Sequence, residues 1–310
     1  MTLNLLFSAP EGRWASYRNV LPRACDAAGL DVNLSRDTAP GDVDYVVYAP
    51  NDTMSDFAPF TRAKAVLSLW AGVEKIISNE TLTQPLTRMV DPGLREGMRD
   101  YIVGHVMRYH LGMDAHINNP DRLWVADAPP LARHRRVGIL GLGELGAFCA
   151  SALSELGFDV AGWSRREKTL TGVTTYAGED GLREILSRSE ILVLLLPSTP
   201  QTENLFSAEA FARLPRGARI INPGRGALID DDALLAALAA GRVAHATLDV
   251  FRQEPLPRDH PFWSEPRITV TPHIASETRP ETASEVIAQN IKRSEAGEPL
   301  LYLVDRSAGY

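Results

Sequence analysis

The sequence predicts an α/β protein in which a doubly wound parallel-sheet domain is inserted into a second, discontinuous α/β domain. Three observations lead there. From Arg136 to Thr271 short apolar runs alternate regularly with helix-like segments. Those runs are apolar almost throughout, as strands are when helices cover both faces of a parallel sheet. Residues 1–100 alternate in the same way, and the tail from Ser276 carries one more helix, to about Glu295. The expected division is residues 1–100 with 272–310 as the outer domain and 101–271 as the inserted one. A cleft between two such halves is a natural place for a ligand.

Composition bounds the function. The 310 residues are 45% apolar and 23% charged, ordinary values for a globular protein with room for two cores. The net charge of −7 argues against nucleic acid or an anionic membrane as partner. Cys25 and Cys149 stand far apart, with no CxxC, which points to a reducing, cytoplasmic setting and away from structural zinc. No apolar run reaches the ~18 residues of a membrane span, and Met1–Phe7 reads as a first strand, not a leader.

Leu3–Phe7, Tyr45–Tyr48 and Val66–Leu69 read as buried strands. Asp100 to Ile117 reads as one long helix with Tyr101, Ile102, His105, Val106, Tyr109 and Met113 on one side, ended by Asn118-Asn119-Pro120. That is more apolar surface than a solvent-facing crossing needs, so a homodimer packed partly through this helix is expected. The basic cluster Arg133–Arg136 reads as a solvated loop. Strands follow at Val137–Leu140, Asp159–Trp163, Ile191–Leu196, Arg219–Asn222, Ala244–Asp249 and Ile268–Thr271. Helices lie between them: Leu145–Leu156, ended by Gly157, and Ala233–Ala240, with Asp230 or Asp231 as N-cap and Gly241 just past its end.

Gly141-Leu142-Gly143-Glu144-Leu145-Gly146 directly follows the strand at 137–140 and opens a helix. In that context GxGxxG is a dinucleotide fingerprint: glycines permit a tight turn and close approach of a pyrophosphate to the helix N-terminus. The next strand should end in a carboxylate for the ribose 2′-OH of NAD, about 20 residues on. It ends instead in Ser164-Arg165, with Lys168 nearby. An arginine there suits a 2′-phosphate, and so NADP(H), unless it merely faces solvent. Leu196, Pro197 and Thr202 follow the strand at 191–196, where Thr202 contacts the cofactor or caps a helix. Pro223, Gly224 and Ala275 lie in loops beyond later strands.

Arg225, Glu254 and His273 each fall just beyond a strand, on the same sheet edge as the glycine loop. A cation to hold a carboxylate, a His to move a proton and a carboxylate to orient that His form a coherent set. A metal role for His105, His110, Asp114 and His116 lacks any HExxH-type spacing, and no metal is expected. Trp14, Trp70, Trp124 and Trp263 line a pocket or fill cores.

Gly141–Gly146, Asn222–Gly226, Leu248–Pro255 and Thr271–His273, in that order, resemble the D-2-hydroxyacid dehydrogenase family over essentially the whole chain. Trp163-Ser164-Arg165, Glu277–Pro280 and the ending Val304–Tyr310 look most like its glyoxylate/hydroxypyruvate reductase subgroup. The resemblance implies a flavodoxin-like substrate domain, a Rossmann cofactor domain and a homodimer. It implies that Arg225 grips the substrate carboxylate and keto oxygen, that His273 is the acid/base, that Glu254 bonds its other ring nitrogen, and that Asp249 holds the nicotinamide carboxamide. It also implies that the amides of Gly72 and Val73 receive the substrate carboxylate. Trp70, Met98 and Arg279 are the candidate pocket wall, leaving room for glyoxylate or hydroxypyruvate. Glu144, where the family is often basic or apolar, and Pro223, which lacks a donor, depart from its pattern. Two other functions fit the same residues: a dinucleotide-sensing co-regulator on this fold, and an NADP-linked dehydrogenase of another small 2-hydroxy acid.

Overall fold

The computed structural model describes every residue except Met1, Val125, Ala308 and Tyr310. Two positions of the ending 304–310, Ala308 and Tyr310, therefore lie outside the described residues, as does the first residue of the N-terminal run. The chain forms two compact units, Met1–Leu94 with Glu277–Tyr310, and Arg95–Ser276.

The first unit is a parallel sheet of β1 (Leu3–Ser8), β2 (Val32–Ser35), β3 (Tyr45–Tyr48), β4 (Ala65–Ser68) and β5 (Leu86–Thr87), in the order β2-β1-β3-β4-β5. This is the flavodoxin-like strand order. Helices α1 (Glu11–Tyr17) and α2 (Val20–Ala27) follow β1. Side chains alternate faces along a strand, and both faces are covered. Tyr45, Val47 and Leu67 pack with Leu21 of α2. Val46 and Val66 pack with Phe57, Ile76 and Leu82 on the other side. The C-terminal helix, Pro280–Glu295, inserts Ala283, Ile287 and Ile291 into the first of these cores.

The second unit begins within α3 (Pro92–His110), followed by α4 (Met113–Ile117). Its sheet comprises β6 (Arg136–Leu140), β7 (Asp159–Ser164), β8 (Thr174–Ala177), β9 (Ile191–Leu194), β10 (Ala218–Asn222), β11 (Val243–Leu248) and β12 (Ile268–Val270). All pairings are parallel, in the order β12-β11-β10-β9-β6-β7-β8. The order reverses between β6 and β9, the switch point over which a doubly wound sheet binds its ligand. Helix α3 and α5 (Glu144–Glu155) cover one face, where Ile102, Val106 and Leu153 meet Val137, Ile139 and Val193. Helices α6 (Gly178–Arg188), α7 (Ala208–Arg213) and α8 (Asp231–Ala239) cover the other, with Ile185, Phe211 and Leu234 against Leu192, Leu194 and Ile220. The Asp230 side chain caps α8, accepting from the Ala233 N–H at 3.0 Å, and the helix gives way to Gly241 at φ +65°. The terminal helix at 280–295 is α9. Among the described residues no helix is long and apolar enough to cross a membrane.

Four expectations need correction. The helix expected over 100–117 starts at Pro92, whose fixed φ and missing N–H suit a first turn. The Asp91 carboxylate accepts there from the Leu94 N–H at 3.2 Å. Gly112, at φ +64°, breaks that helix before α4. The units divide at 94/95 and 276/277, not 100/101 and 271/272, because the first turn of α3 belongs with unit 1 and the loop after β12 stays with its sheet. Val106 and Tyr109, expected to spare apolar surface for a partner, are buried in their own unit, so that surface is already used. Arg135 of the basic cluster is not solvated: it is ion-paired with Glu190 at 3.0 Å.

Candidate active site

The glycine loop sits where β6 meets α5, and its three glycines do different work. A Cβ on Gly141, which is at φ +103°, would stand 2.5 Å from the Leu195 carbonyl oxygen, so the turn closes against the chain leaving β9 only without a side chain. A Cβ on Gly146 would stand 1.8 Å from the Gly141 oxygen, so helix and strand meet this closely only at glycine. A Cβ on Gly143 would meet nothing within 4 Å. Packing does not require a glycine there, but close approach of a ligand does. Gly143 is also the N-cap of α5, with no side chain capping the first turn. The open N–H end of a helix beside this uncrowded glycine fits a pyrophosphate. Glu144 and Leu145 form the first turn, with Glu144 exposed.

Ser164 ends β7, and its hydroxyl donates to the Arg166 carbonyl at 2.7 Å, which turns the chain. Arg165 is exposed just beyond the strand. The Lys168 ammonium reaches back to the Leu142 carbonyl at 2.5 Å, joining this turn to the glycine loop. Two cations beside the glycine loop, with no carboxylate at the strand end, could hold a 2′-phosphate. In the loop after β9, Leu196 is buried. The Thr202 hydroxyl donates to the Pro197 carbonyl at 2.7 Å and accepts from the Thr199 N–H at 2.8 Å, so it shapes the loop itself.

The loops after β10, β11 and β12 are laced together. The Asn222 side chain accepts from the Gly224 N–H and donates to the Arg225 carbonyl, folding the Asn-Pro-Gly-Arg turn around Pro223. A Cβ on Gly226 would stand 2.1 Å from the Phe251 carbonyl carbon, so the β10 and β11 loops touch backbone to backbone. Arg225 is thereby set, half-buried, beside the segment that carries Glu254. The His273 Nδ1 lies 2.8 Å from Glu254 Oε2, and Glu254 Oε1 accepts from the Phe251 N–H at 2.9 Å. An ionised carboxylate only accepts, so Nδ1 carries the proton and Nε2 is the ring's outward nitrogen. The imidazole is 54% exposed, open to a ligand. This can position a proton donor or acceptor on the sheet edge that carries the glycine loop.

In the first unit Trp70 lies at the start of the loop after β4. Its N–H donates to the Ser68 hydroxyl at 3.0 Å, and Lys75 lies over its ring at 5.8 Å. Gly72 is half-buried and Val73 buried, the Val73 carbonyl accepting from the Ile76 and Ile77 N–H groups. Arg279 is exposed at the N-cap of α9. Met98 is buried in the second unit's core beside Ile102 and Ala275. Trp14 packs on Phe7 at 5.5 Å, whereas Trp124 and Trp263 are exposed. Among the described residues no group of three His, Cys, Asp or Glu is placed to hold a metal.

Residues 110–275 match the family model described as D-isomer specific 2-hydroxyacid dehydrogenase, NAD binding domain. Glyoxylate/hydroxypyruvate reductase A of Yersinia enterocolitica is 39% identical over 320 aligned positions, covering 99% of this chain and 100% of that protein. The chain belongs to the D-isomer specific 2-hydroxyacid dehydrogenase family. A dehydrogenase of this family from Xanthobacter autotrophicus, solved in complex with NADPH and MES, has a TM-score of 0.92 at 39% identity, covering 100% of both chains. The NADPH-dependent glyoxylate/hydroxypyruvate reductase of Sinorhizobium meliloti, solved with NADP and sulfate, gives 0.84 at 31% identity, covering 99% of this chain and 100% of that one.

For a 2-hydroxyacid dehydrogenase the unexpected residue is Asp249. Sequence reasoning offered its carboxylate to a ligand, but it is fully buried and bonded within the protein. Oδ1 accepts from the Thr271 hydroxyl at 2.6 Å and the Ile274 N–H at 2.9 Å, and Oδ2 from the Ala275 N–H at 2.8 Å. The signal was the Thr271-Pro272-His273 run, where a small hydroxyl residue precedes the histidine.

Proposed function

We propose that this protein reduces small 2-keto acids, glyoxylate and hydroxypyruvate foremost, to 2-hydroxy acids with NADPH. The observation that carries it is the 2.8 Å contact between His273 Nδ1 and Glu254 Oε2, on the edge that also bears Arg225 and the glycine loop. The relatives named as glyoxylate/hydroxypyruvate reductases, one of them NADPH-dependent, and the family member solved with NADPH support the choice. So does the Ser164-Arg165 strand end, which lacks the carboxylate that would repel a 2′-phosphate.

When bound, NADPH supplies the hydride for the carbonyl carbon. The imidazolium form of His273 donates its Nε2 proton to the carbonyl oxygen and becomes the neutral Nδ1–H tautomer, with Glu254 fixing the ring through that Nδ1 proton. Arg225 holds the carboxylate and stabilises the charge that develops on the oxygen. In the first unit, Gly72 and Val73 offer backbone amides to a substrate carboxylate, and Trp70 and Arg279 limit substrate size. The second unit serves the cofactor, through Gly141–Gly146, Ser164, Arg165, Lys168, Leu196, Pro197, Pro223, Gly224 and Ala275, while Thr202 and Asp249 hold their own loops in shape. The first serves the substrate. The working form is a cytoplasmic homodimer without a nucleic-acid partner.

The test is kcat/KM for glyoxylate, hydroxypyruvate, pyruvate, 2-ketoisocaproate and phenylpyruvate, with NADPH and NADH separately. Glyoxylate and hydroxypyruvate with NADPH should lead. A preference for phenylpyruvate, or equal use of NADH, overturns the reading.

A further inference from the structure

His273 adopts φ +54°, in the left-handed region. A residue with a Cβ stays there only where its surroundings impose it. Asp249 is that surrounding. Its backbone carbonyl accepts from the His273 N–H at 2.8 Å, and its carboxylate accepts from the next two N–H groups, Ile274 and Ala275. The carboxylate also accepts from the hydroxyl of Thr271, two residues before the histidine, at 2.6 Å. The Thr271 hydroxyl also lies 2.7 Å from the Tyr101 hydroxyl on α3.

The direction of this chain is determined. A threonine hydroxyl has one proton, and a carboxylate has none to give. Thr271 therefore donates to Asp249, and its oxygen must accept from Tyr101. Burial pushes the Tyr101 phenol well above its ordinary range, so it keeps the proton it donates. The relay runs Tyr101 to Thr271 to Asp249, and Asp249 holds three successive N–H groups of the turn. A buried carboxylate takes its orientation from such donors, and each is worth more at low dielectric than in water.

We propose that Tyr101 and Thr271 are positioning residues: acting through Asp249, they fix the turn that aims His273. This rests on the reading of His273 as the proton donor. Neither residue touches substrate, so both should act on kcat with little effect on cofactor binding.

The experiment compares Thr271→Val, Thr271→Ser, Tyr101→Phe and His273→Ala. The readouts are kcat and KM for glyoxylate, the NADPH dissociation constant by fluorescence, and Tm. Thr271→Val, which keeps the shape but loses the bond to a charged group, should lower kcat about 10–100-fold. Its NADPH affinity should stay near wild type. Thr271→Ser should restore most of kcat. Tyr101→Phe removes one oxygen and should cost roughly 2–12-fold, and it still decides the matter if Thr271→Val does not fold. Wild-type kcat in both Thr271→Val and Tyr101→Phe, with His273→Ala inactive, overturns the relay and leaves His273 in place. So does a Thr271→Ser no better than Thr271→Val, or a loss of NADPH affinity in proportion to kcat. Wild-type kcat in His273→Ala overturns the reading beneath it.

Discussion

His273 and Glu254 follow different strands, β12 and β11, yet Nδ1 of one meets Oε2 of the other at 2.8 Å. The Phe251 N–H holds the second carboxylate oxygen, so Glu254 is anchored before it touches the ring. One ring nitrogen is thus occupied by the protein and the other is left for chemistry.

His273→Ala should therefore lower kcat by roughly 10²–10⁴ while NADPH affinity stays near wild type. Glu254→Gln keeps the shape but replaces a charge-assisted bond with a neutral one. It should cost about 10-fold in kcat, with KM for glyoxylate little changed. Steady-state kinetics with a fluorescence titration of NADPH checks both. A Glu254→Gln enzyme with wild-type kcat would remove Glu254 from the mechanism.

The glycine loop gives a paired prediction. Gly146→Ala drives a methyl into the Gly141 carbonyl oxygen, so it should destabilise the fold by about 3 kcal/mol or more. Gly143→Ala meets nothing and has φ −72°, ordinary for alanine. Its Tm should match wild type, while its NADPH affinity falls at least about 10-fold because the methyl occupies the approach to the helix N-terminus. Thermal melts without and with NADPH separate the two. A Gly143→Ala protein that binds NADPH normally would show that the cradle serves something else.

Arg165 tests the choice between cofactors. Losing a charge-assisted contact to phosphate costs about 1.5–3 kcal/mol, so Arg165→Ala should raise KM for NADPH by tens of fold and leave NADH use unchanged. Lys168→Ala should do less, because its ammonium is already engaged with the Leu142 carbonyl. Equal losses with both cofactors would mean that Arg165 supports the loop and not the phosphate.

Local patterns made much of this legible. Apolar strands in a sheet covered on both faces announced themselves as unbroken runs, and GxGxxG after such a run placed the switch point. The strands at 32–35, 86–87 and 174–177 did not, because they are short edge strands whose polar residues carry no run. Pro92-Gly93 resembles a turn, yet Asp91 caps it into a helix through a bond that no periodicity encodes. Arg225, Glu254 and His273 were readable because each follows a strand. Asp249 was readable as important but not as the holder of the His273 turn, since that depends on three loop donors converging on one buried carboxylate.

Assembly is open to a sharper test than helix periodicity offered. Val106 and Tyr109 are buried within their own unit, whereas Leu111, Met113, Ile117, Leu123 and Leu131 are exposed and Trp124 is 96% exposed. Apolar residues concentrated along one stretch mark an interface more often than a solvent surface. A homodimer using the stretch from Leu111 to Leu131 is expected, and Ile117→Asp with Trp124→Ala should shift it toward monomer. Light scattering at micromolar concentration measures this. A monomeric mass for the wild type would contradict it.

The last prediction concerns acid stability and rests on His245, in β11. Its ring lies near Tyr109 and Arg108, with Nδ1 2.9 Å from the Tyr109 hydroxyl. Burial, reinforced by the Arg108 charge, pushes it from 6.5 down to about 4, with Asp114 opposing. Above pH 6.5 the ring is neutral in both folded and unfolded chains and contributes nothing to pH dependence. Between pH 6.5 and 4 the unfolded chain takes up a proton that the folded chain refuses, so stability falls as pH falls. His105, lowered by burial in the same way, adds to the slope. His245→Gln cannot take up that proton in either state. Tm of the wild type should therefore drop more steeply between pH 6.5 and 4.5 than Tm of His245→Gln, and the curves should run parallel above pH 7. Parallel curves throughout would mean that His245 titrates alike in both states and that its burial carries no electrostatic cost.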